Sequence, residues 1–430
     1  MRRQNTAIDL QSLQEKLNGS NSEASGKWER YSCELVTPMY GGGVIAGQVD
    51  PQMPIRASAI RGQLRFWWRI ANGPFADSEE MRRSGEMCRS EGKCRSEEKC
   101  RSEEKCRSED MRTKEEAIWG GIGDNGAIAS RVEIRVKNSS APVSFSHPNG
   151  AGVKYVFGAS GEANCLATGY KFNLYIRYKK NLTSDQKEQV EKALRWWASF
   201  GGIGGRTRRG FGAVNVKSSD IKPVSAEEVA SKGGILTLVP KEGCSNAVDR
   251  WIHGCDKLRD FRQGKNIGRN YSSSQPGQSR WPEADSIRNL SGHYSERHKP
   301  RNTNTNLFPR AVFGLPIIFH YQKGSGKGQE PVDHTLTVAD AGKERMASPL
   351  IIRPYCVNDK WHSAALLLPN WKEALTQQLE LSPKPKKIHD KPLNWSSSPE
   401  QQQMFAEKDN PMKGRANDPL SAFLDFFEKE

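Results

Sequence analysis

The 430-residue chain has no run of eighteen consecutive apolar residues, so its pattern excludes a membrane-spanning helix. The opening MRRQNTAIDLQSLQEKL lacks the apolar core of a secretory signal, so a cytoplasmic location in a reducing compartment is expected. The nine cysteines are odd in number and four belong to one short repeat, which argues against a disulfide framework. No CxxC, HxH or HExxH spacing occurs, so no metal and no cofactor are expected. Apolar residues make up 35% and aromatics 8%, lean for the length but enough for two or three units of about 100–200 residues.

What is abundant is positive charge. Lys and Arg number 65 against 50 Asp and Glu, a net +15. Residues 78–116 contribute 11 and 12 of these, a net −1, so the other 391 residues carry +16 together with every aromatic. A basic surface with interleaved aromatics suits RNA or single-stranded DNA, although charge alone is equally that of a soluble basic protein.

Along the chain, a polar segment to Lys27 with a weakly amphipathic helix at Ile8–Leu17 precedes a strand at Tyr31–Val36. Thr37-Pro38 ends that strand and Gly41–Gly43 follow as a loop. The spacing predicts a helix over Ile60–Ala71, with Ile60, Leu64, Trp67, Trp68 and Ala71 on one stripe and Arg61, Arg65 and Arg69 along another edge. Trp67 and Trp68 belong to the core on this reading. Gly62 costs about 1 kcal/mol against Ala in such a helix and is expected to mark a close approach by another backbone or a ligand.

Residues 77–116 interrupt the pattern with CRSEGK-CRSEEK-CRSEEK-CRSED. Six residues advance a helix by about 240°, so Cys88, Cys94, Cys100 and Cys106 share no helical face. A solvated insertion is expected, with a redox or metal role as the alternative. Strands follow at Arg131–Lys137 and Lys171–Tyr178, then a helix at Ser184–Ser199 opened by a Thr183/Gln186 capping box, then a strand at Ala213–Val216. This β-α-β-β-α-β order is that of a ferredoxin-like or RNA-recognition fold, whose open sheet face commonly binds single-stranded RNA. Beyond residue 234 the plan is fainter: strands at 235–240, 315–320 and 349–354, helices at Ala247–Phe261, Trp371–Leu379 and Pro419–Phe427, and a long polar stretch between Gly264 and Thr305.

The segment FGGIGGRTRRGFG (200–212) packs six glycines and three arginines into Gly201–Gly212. Glycine permits close backbone approach to a phosphate, and Arg206, Arg208 and Arg209 supply charge-assisted donors. It is neither a P-loop, since no GK[ST] follows, nor a dinucleotide fingerprint, since it follows a helix and Thr207 stands at the third glycine position. The plain alternative is a tight helix-to-strand connection.

Together with TPMYGGG (37–43), IRASAIRGQLRFWWR (55–69) and IWGG (118–121), this loop resembles the RAMP superfamily of CRISPR effector subunits. SRWPEADSIR (279–288), FGLPIIF (313–319) and ERMASPLIIRP (344–354) are similar, more narrowly, to the first subunit of the type III-B Cmr complex. The resemblance implies an α+β chain of two ferredoxin-like (RRM/RAMP) domains, each an antiparallel sheet packed by helices, at 29–233 and 234–430. A polar extension, 1–28, precedes them, and the first carries the charged repeat insertion.

It also implies a non-catalytic subunit that grips the 3′ part of the crRNA/target duplex, with crRNA, target single-stranded RNA and other RAMP subunits as partners and no membrane. The RNA-binding positions carried over are Arg56, Arg61, Arg65, Arg69, Gly201, Gly202, Gly204, Gly205, Arg206, Thr207, Arg208, Arg209, Gly210 and Phe211. Arg345, Ser348 and Arg353 follow from the second half. Phosphate contacts of this kind give affinity without sequence preference. The alternatives are an endoribonuclease using a His or Asp50, which lies where a related backbone subunit carries its cleaving aspartate, and a protein scaffold with little RNA affinity. Asp50 before a proline is also an ordinary turn residue.

Overall fold

A computed structural model describes residues 26–73, 111–123, 126–139, 142–158, 165–218, 220–270, 278–300, 307–321, 330–339, 345–384, 393–396 and 410–429. The helix expected at Ile8–Leu17 and the cysteine repeat lie outside them. No described helix is long and apolar enough to cross a membrane.

The first half builds on β1 (Glu29–Leu35), which buries Cys33 and Leu35 and turns Arg30 and Ser32 outward. Helix α1 (Ala57–Asn72) buries Ile60, Leu64, Trp67, Trp68, Ile70 and Ala71, as its spacing requires. Residues 111–119 form α2. The expected insertion 77–116 therefore ends inside a folded helix, because Glu115, Ile118 and Trp119 are buried there. A hairpin of β2 (Gly121–Gly123) and β3 (Gly126–Ile128) leads to β4 (Val132–Asn138). A small ribbon of β5 (Phe145–Ser146) and β6 (Cys165–Leu166) brackets α3 (Ala151–Phe157). Then come β7 (Lys171–Tyr178), α4 (Ser184–Phe200) and β8 (Val214–Lys217). The capping box at Thr183 and Gln186 is present in both directions.

The four long strands form one sheet in the order β4-β7-β1-β8, every pair antiparallel. Helices α1 and α4 lie across one face, where Trp67 packs on Trp196 and Phe200 at ring separations of 6.2 and 6.0 Å. Among the described residues the other face has no helix.

After α5 (Ala226–Ala230), β9 (Ile235–Cys244) and α6 (Ala247–Gln263) open the second half. Helix α7 (Glu283–Ser291), β10 (Ile317–Phe319) and β11 (His334–Val338) follow. They are succeeded by β12 (Leu350–Val357), β13 (Lys360–Leu367), α8 (Glu373–Thr376), β14 (Leu379–Ser382) and α9 (Pro419–Glu428). The sheet order β12-β13-β9 repeats β4-β7-β1 of the first sheet and, among the described residues, has no counterpart of β8. A separate sheet, β10-β11-β14, sits on its own small core. The chain is thus mixed α+β with antiparallel sheets.

Two expectations change. The helix expected at Trp371–Leu379 is a single turn followed by β14, because Leu379 and Leu381 alternate inward as a strand. Strand β13 went unpredicted because SAALL is buried on both faces and shows no alternation. Pro354 lies within β12, which tolerates it as an edge strand. The hydrophobic clusters do not divide at residue 233: Phe200 stacks on Tyr355 at 5.6 Å, and Phe211 meets Trp251 edge-on at 4.9 Å.

Candidate nucleic-acid interface

The glycine–arginine loop is clasped from two sides. Segment 37–42 holds one: Gly205 N–H donates to Tyr40 O at 2.6 Å, Gly212 N–H to Pro38 O at 2.8 Å, and the Thr37 hydroxyl to Gly210 O at 2.6 Å. The glycines answer to this packing. A Cβ on Gly212, at φ +62°, would lie 1.9 Å from Ile203 O, and one on Gly201 would lie 2.3 Å from the Trp197 ring. At Gly210, φ +78°, a Cβ would lie 2.6 Å from the Trp251 ring and 2.7 Å from Ile352 O. Gly202 is also buried, while Gly204 and Gly205 lie against Tyr40.

The second half holds the other side. Arg209 donates to Leu350 O at 2.9 Å and Phe313 O at 3.1 Å, and Arg208 donates to Ser348 O. Arg353, 3% exposed, reaches back to Gly201 O at 2.7 Å and Val214 O at 3.3 Å and also donates to Pro354 O at 2.9 Å. It thereby joins the edge strands β8 and β12. Burial pushes Arg353 down to about 9; burial and the neighbouring Arg262 push Arg209 to about 10. Phe211 is fully buried between Phe157 and Trp251, and the Ser348 hydroxyl closes a local turn on Leu350.

The loop expected as a phosphate cradle is here held by the protein's own groups. Arg353, Phe211, Ser348, Gly201, Gly202 and Gly210 are buried among main-chain carbonyls and core packing, and Arg208 and Arg209, which bond carbonyls too, are half-buried. Thr207 opens the same turn, its carbonyl accepting from Gly210 N–H at 3.0 Å. Arg206 is exposed, in the left-handed region at φ 57°, with one donor on Val156 O at 3.0 Å. Arg345 is exposed as well.

On α1, Arg56 donates to Gly43 O at 3.2 Å and Arg61 to Trp119 O. Arg65 and Arg69 both bind Glu115 of α2, at 2.7 Å from each Nε. The arginine edge is therefore partly neutralised by a residue expected to lie in a solvated insertion. Burial alone would raise the Glu115 pKa, but hydrogen bonds from Arg69 and Arg65 outweigh that and hold it below the usual carboxylate range. A Cβ added at Gly62 would have nothing within 4 Å, so no described residue explains this glycine.

Outside these motifs, the uncovered face of the first sheet carries Glu133, Arg135 and Lys137 from β4, and Lys171, Asn173, Tyr175 and Arg177 from β7. Arg30, Ser32 and Glu34 of β1 and Asn215 and Lys217 of β8 complete it. Sequence reasoning missed these residues, although they are the outward parity of strands whose inward parity it used.

The Asp50 carboxylate accepts from Gln52 N at 2.9 Å and Met53 N at 3.2 Å, the geometry of a turn. His298 binds Glu330 at 2.9 Å, His320 binds Asp333 at 2.7 Å, and His334 and His362 face carbonyls. Among the described residues no group of three or more His, Cys, Asp or Glu is placed to hold a metal ion.

No curated protein matches the chain. Among solved structures it is similar to Cmr1 from Pyrococcus furiosus in its apo form, at 13% identity over 85% of this chain and 92% of that one, with a TM-score of 0.41. A chain of a type III-B Cmr-β complex bound to cognate target RNA is 12% identical over 86% and 97%, with a TM-score of 0.37. A chain of a type IV-B CRISPR complex is 13% identical over 45% and 92%, with a TM-score of 0.29. Residues 32–215, the stretch from β1 through the glycine–arginine loop into β8, match the RAMP superfamily.

Proposed function

We propose that the chain is a non-catalytic RNA-binding subunit of a type III-B CRISPR (Cmr) guide-RNA effector complex in antiviral defence. On this reading it holds the 3′ part of the crRNA/target duplex and docks on backbone RAMP subunits in the cytoplasm. The observation that carries the reading is the RAMP match over residues 32–215. The strand order β4-β7-β1-β8 agrees with a ferredoxin-like first domain, 29–233, and the order β12-β13-β9 with a second, 234–430, lacking one edge strand among the described residues. Among the carried-over arginines, Arg206, Arg345 and Arg69 keep the most surface for phosphate, and the net +16 outside residues 78–116 supplies the long-range attraction. Asp50, engaged in its own turn, has the bonding of a structural residue.

Fluorescence-anisotropy titration of the full chain with a labelled single-stranded RNA across a salt series tests the reading. Each mixture is afterwards run on a denaturing gel with Mg²⁺ present. Salt-sensitive binding with intact RNA is expected, the log–log slope falling by about 0.7 for each phosphate contact removed, as in Arg206→Ala. Discrete cleavage products abolished in Asp50→Ala would replace the non-catalytic reading with an endoribonuclease, and absence of binding would favour a protein scaffold.

A further inference from the structure

The uncovered face of the first sheet is organised in rows. The register places Arg135 and Arg30 on either side of Tyr175, so a partly exposed phenol sits between two guanidiniums across three adjacent strands. Two inter-strand spacings of about 4.8 Å make that row about 10 Å wide. The next row runs Lys137, Asn173, Ser32, Lys217, alternating cationic ends with neutral hydrogen-bonding centres. At the opposite margin the Trp28 ring lies 4.6 Å from both the Arg135 and Arg177 guanidinium carbons, a second aromatic held by cations.

The face carries six cations against two carboxylates, Glu34 and Glu133. Both carboxylates are already used, by Lys217 at 2.8 Å and by Arg177 at 2.7 Å. Arg30 spends one donor on Asn173, at 3.1 Å. The excess is thus concentrated around Tyr175. At the β8 margin, Glu34, Asn215 and Lys217 also line a cleft of about 400 Å³ whose far wall is Trp361 and Asn246 of the second half. Cationic rims around separated aromatic rings are the composition that a single strand meets, with phosphates on the cations and unpaired bases on the rings.

We infer that this sheet face, centred on Tyr175 and running from Trp28 and Arg135 toward the Lys217–Trp361 cleft, is a platform for single-stranded RNA. This rests on the RNA-binding reading above and assigns it a surface that neither the glycine–arginine loop nor the α1 edge contains. Tyr175 stacks a base there, Arg135, Lys137 and Arg30 take phosphates, and Asn173 and Ser32 face the ribose and base edges. A duplex presents no unstacked base to Tyr175 and is the poorer ligand for this face, which takes unpaired RNA next to the crRNA/target duplex rather than the duplex itself.

The test compares the unmodified full chain with Tyr175→Ala, Tyr175→Phe, the exposed pair Arg135→Glu/Lys137→Glu, and Arg206→Ala, each first checked for an unchanged melting temperature. Binding of a labelled unstructured RNA is measured across salt and against a duplex competitor. Tyr175→Ala should weaken binding about tenfold with the salt slope unchanged, and Tyr175→Phe should restore it. The charge reversal should weaken binding at least tenfold and flatten the slope by about 1.4. Ultraviolet cross-links should map to β7 or Trp28. If the unmodified chain binds and the folded sheet variants bind equally well, the platform is wrong while the RNA-binding reading stands. If the unmodified chain binds no RNA, the reading itself fails and the face is left to an acidic protein partner. Should Tyr175→Ala not fold, the charge reversal and the cross-link map decide alone.

Discussion

Two regions of this protein are rich in arginine and set in opposite surroundings. In the loop 201–212 and its partner Arg353, guanidiniums end on main-chain carbonyls of the other half of the chain. On the outward face of the first sheet, Arg135 and Lys137 are exposed at an edge strand whose inner residues are already paired. The chemistry of the side chain is the same, and the supply of free backbone acceptors decides its use. Strands β8 and β12 are both sheet edges, so the carbonyls on their open sides lack ladder partners and a five-donor fork satisfies some of them. The sharpest way to break the contrast is Arg353→Ala. It empties a buried position and orphans carbonyls at Gly201 and Val214, costing roughly 2–4 kcal/mol. Chemical denaturation should show that loss, whereas Arg135→Ala should stay within about 0.5 kcal/mol of the parent. Equal effects would dissolve the distinction.

The loop's glycines sharpen the same comparison. In a phosphate cradle, Gly212→Ala would damage RNA binding and leave the fold alone. Here the added Cβ meets Ile203 O within the loop at a positive φ, so a stability loss of at least about 2 kcal/mol is expected. Thermal melting of Gly212→Ala checks it.

The sequence made the first sheet legible because its strands alternate cleanly: KFNLYIRY turns Phe172, Leu174, Ile176 and Tyr178 inward, and the strand found there has the predicted limits. Helix α4 was readable from the Thr183 capping box, and α1 from its Trp-bearing stripe. Strand β13 was not readable, because burial on both faces erases alternation. The site was read less well for a related reason. Composition records that glycine and arginine crowd one loop, but the carbonyls that absorb those arginines, Leu350 and Phe313, lie more than a hundred residues away. The outward parity of β4 and β7, in contrast, was present in the same alternation that revealed the strands.

An intermediate case lies on α1, where Arg65 and Arg69 are partly exposed and yet share Glu115. Glu115→Gln should cost about 1 kcal/mol, since Arg69 is 49% exposed and water screens its side of the pair. The carboxylate pKa is depressed in the folded state, so the contribution is present above the usual Glu value and fades as pH falls below it. The stability difference between parent and variant should therefore be full at pH 7 and shrink through the acid range below pH 4 in urea titrations. Freed of Glu115, the two arginines should also steepen the salt dependence of RNA binding if α1 contributes to it.

The smallest expected effect is the most discriminating for α1. Gly62 lies exposed within that helix with open space where a Cβ would be. In the isolated chain Gly62→Ala should therefore stabilise by about 0.5–1 kcal/mol, the ordinary gain of Ala over Gly in a helix interior. A gain in melting temperature with unchanged RNA affinity would mark the outer edge of α1 as plain surface, leaving the first sheet's outward face as the cationic region that meets RNA. A gain in stability accompanied by weaker RNA binding or weaker assembly with RAMP subunits would mean that a backbone approaches Gly62 in the complex. The arginine edge of α1 would then rejoin the interface, and the contrast between a buried clasp and one exposed face would become a contrast with two.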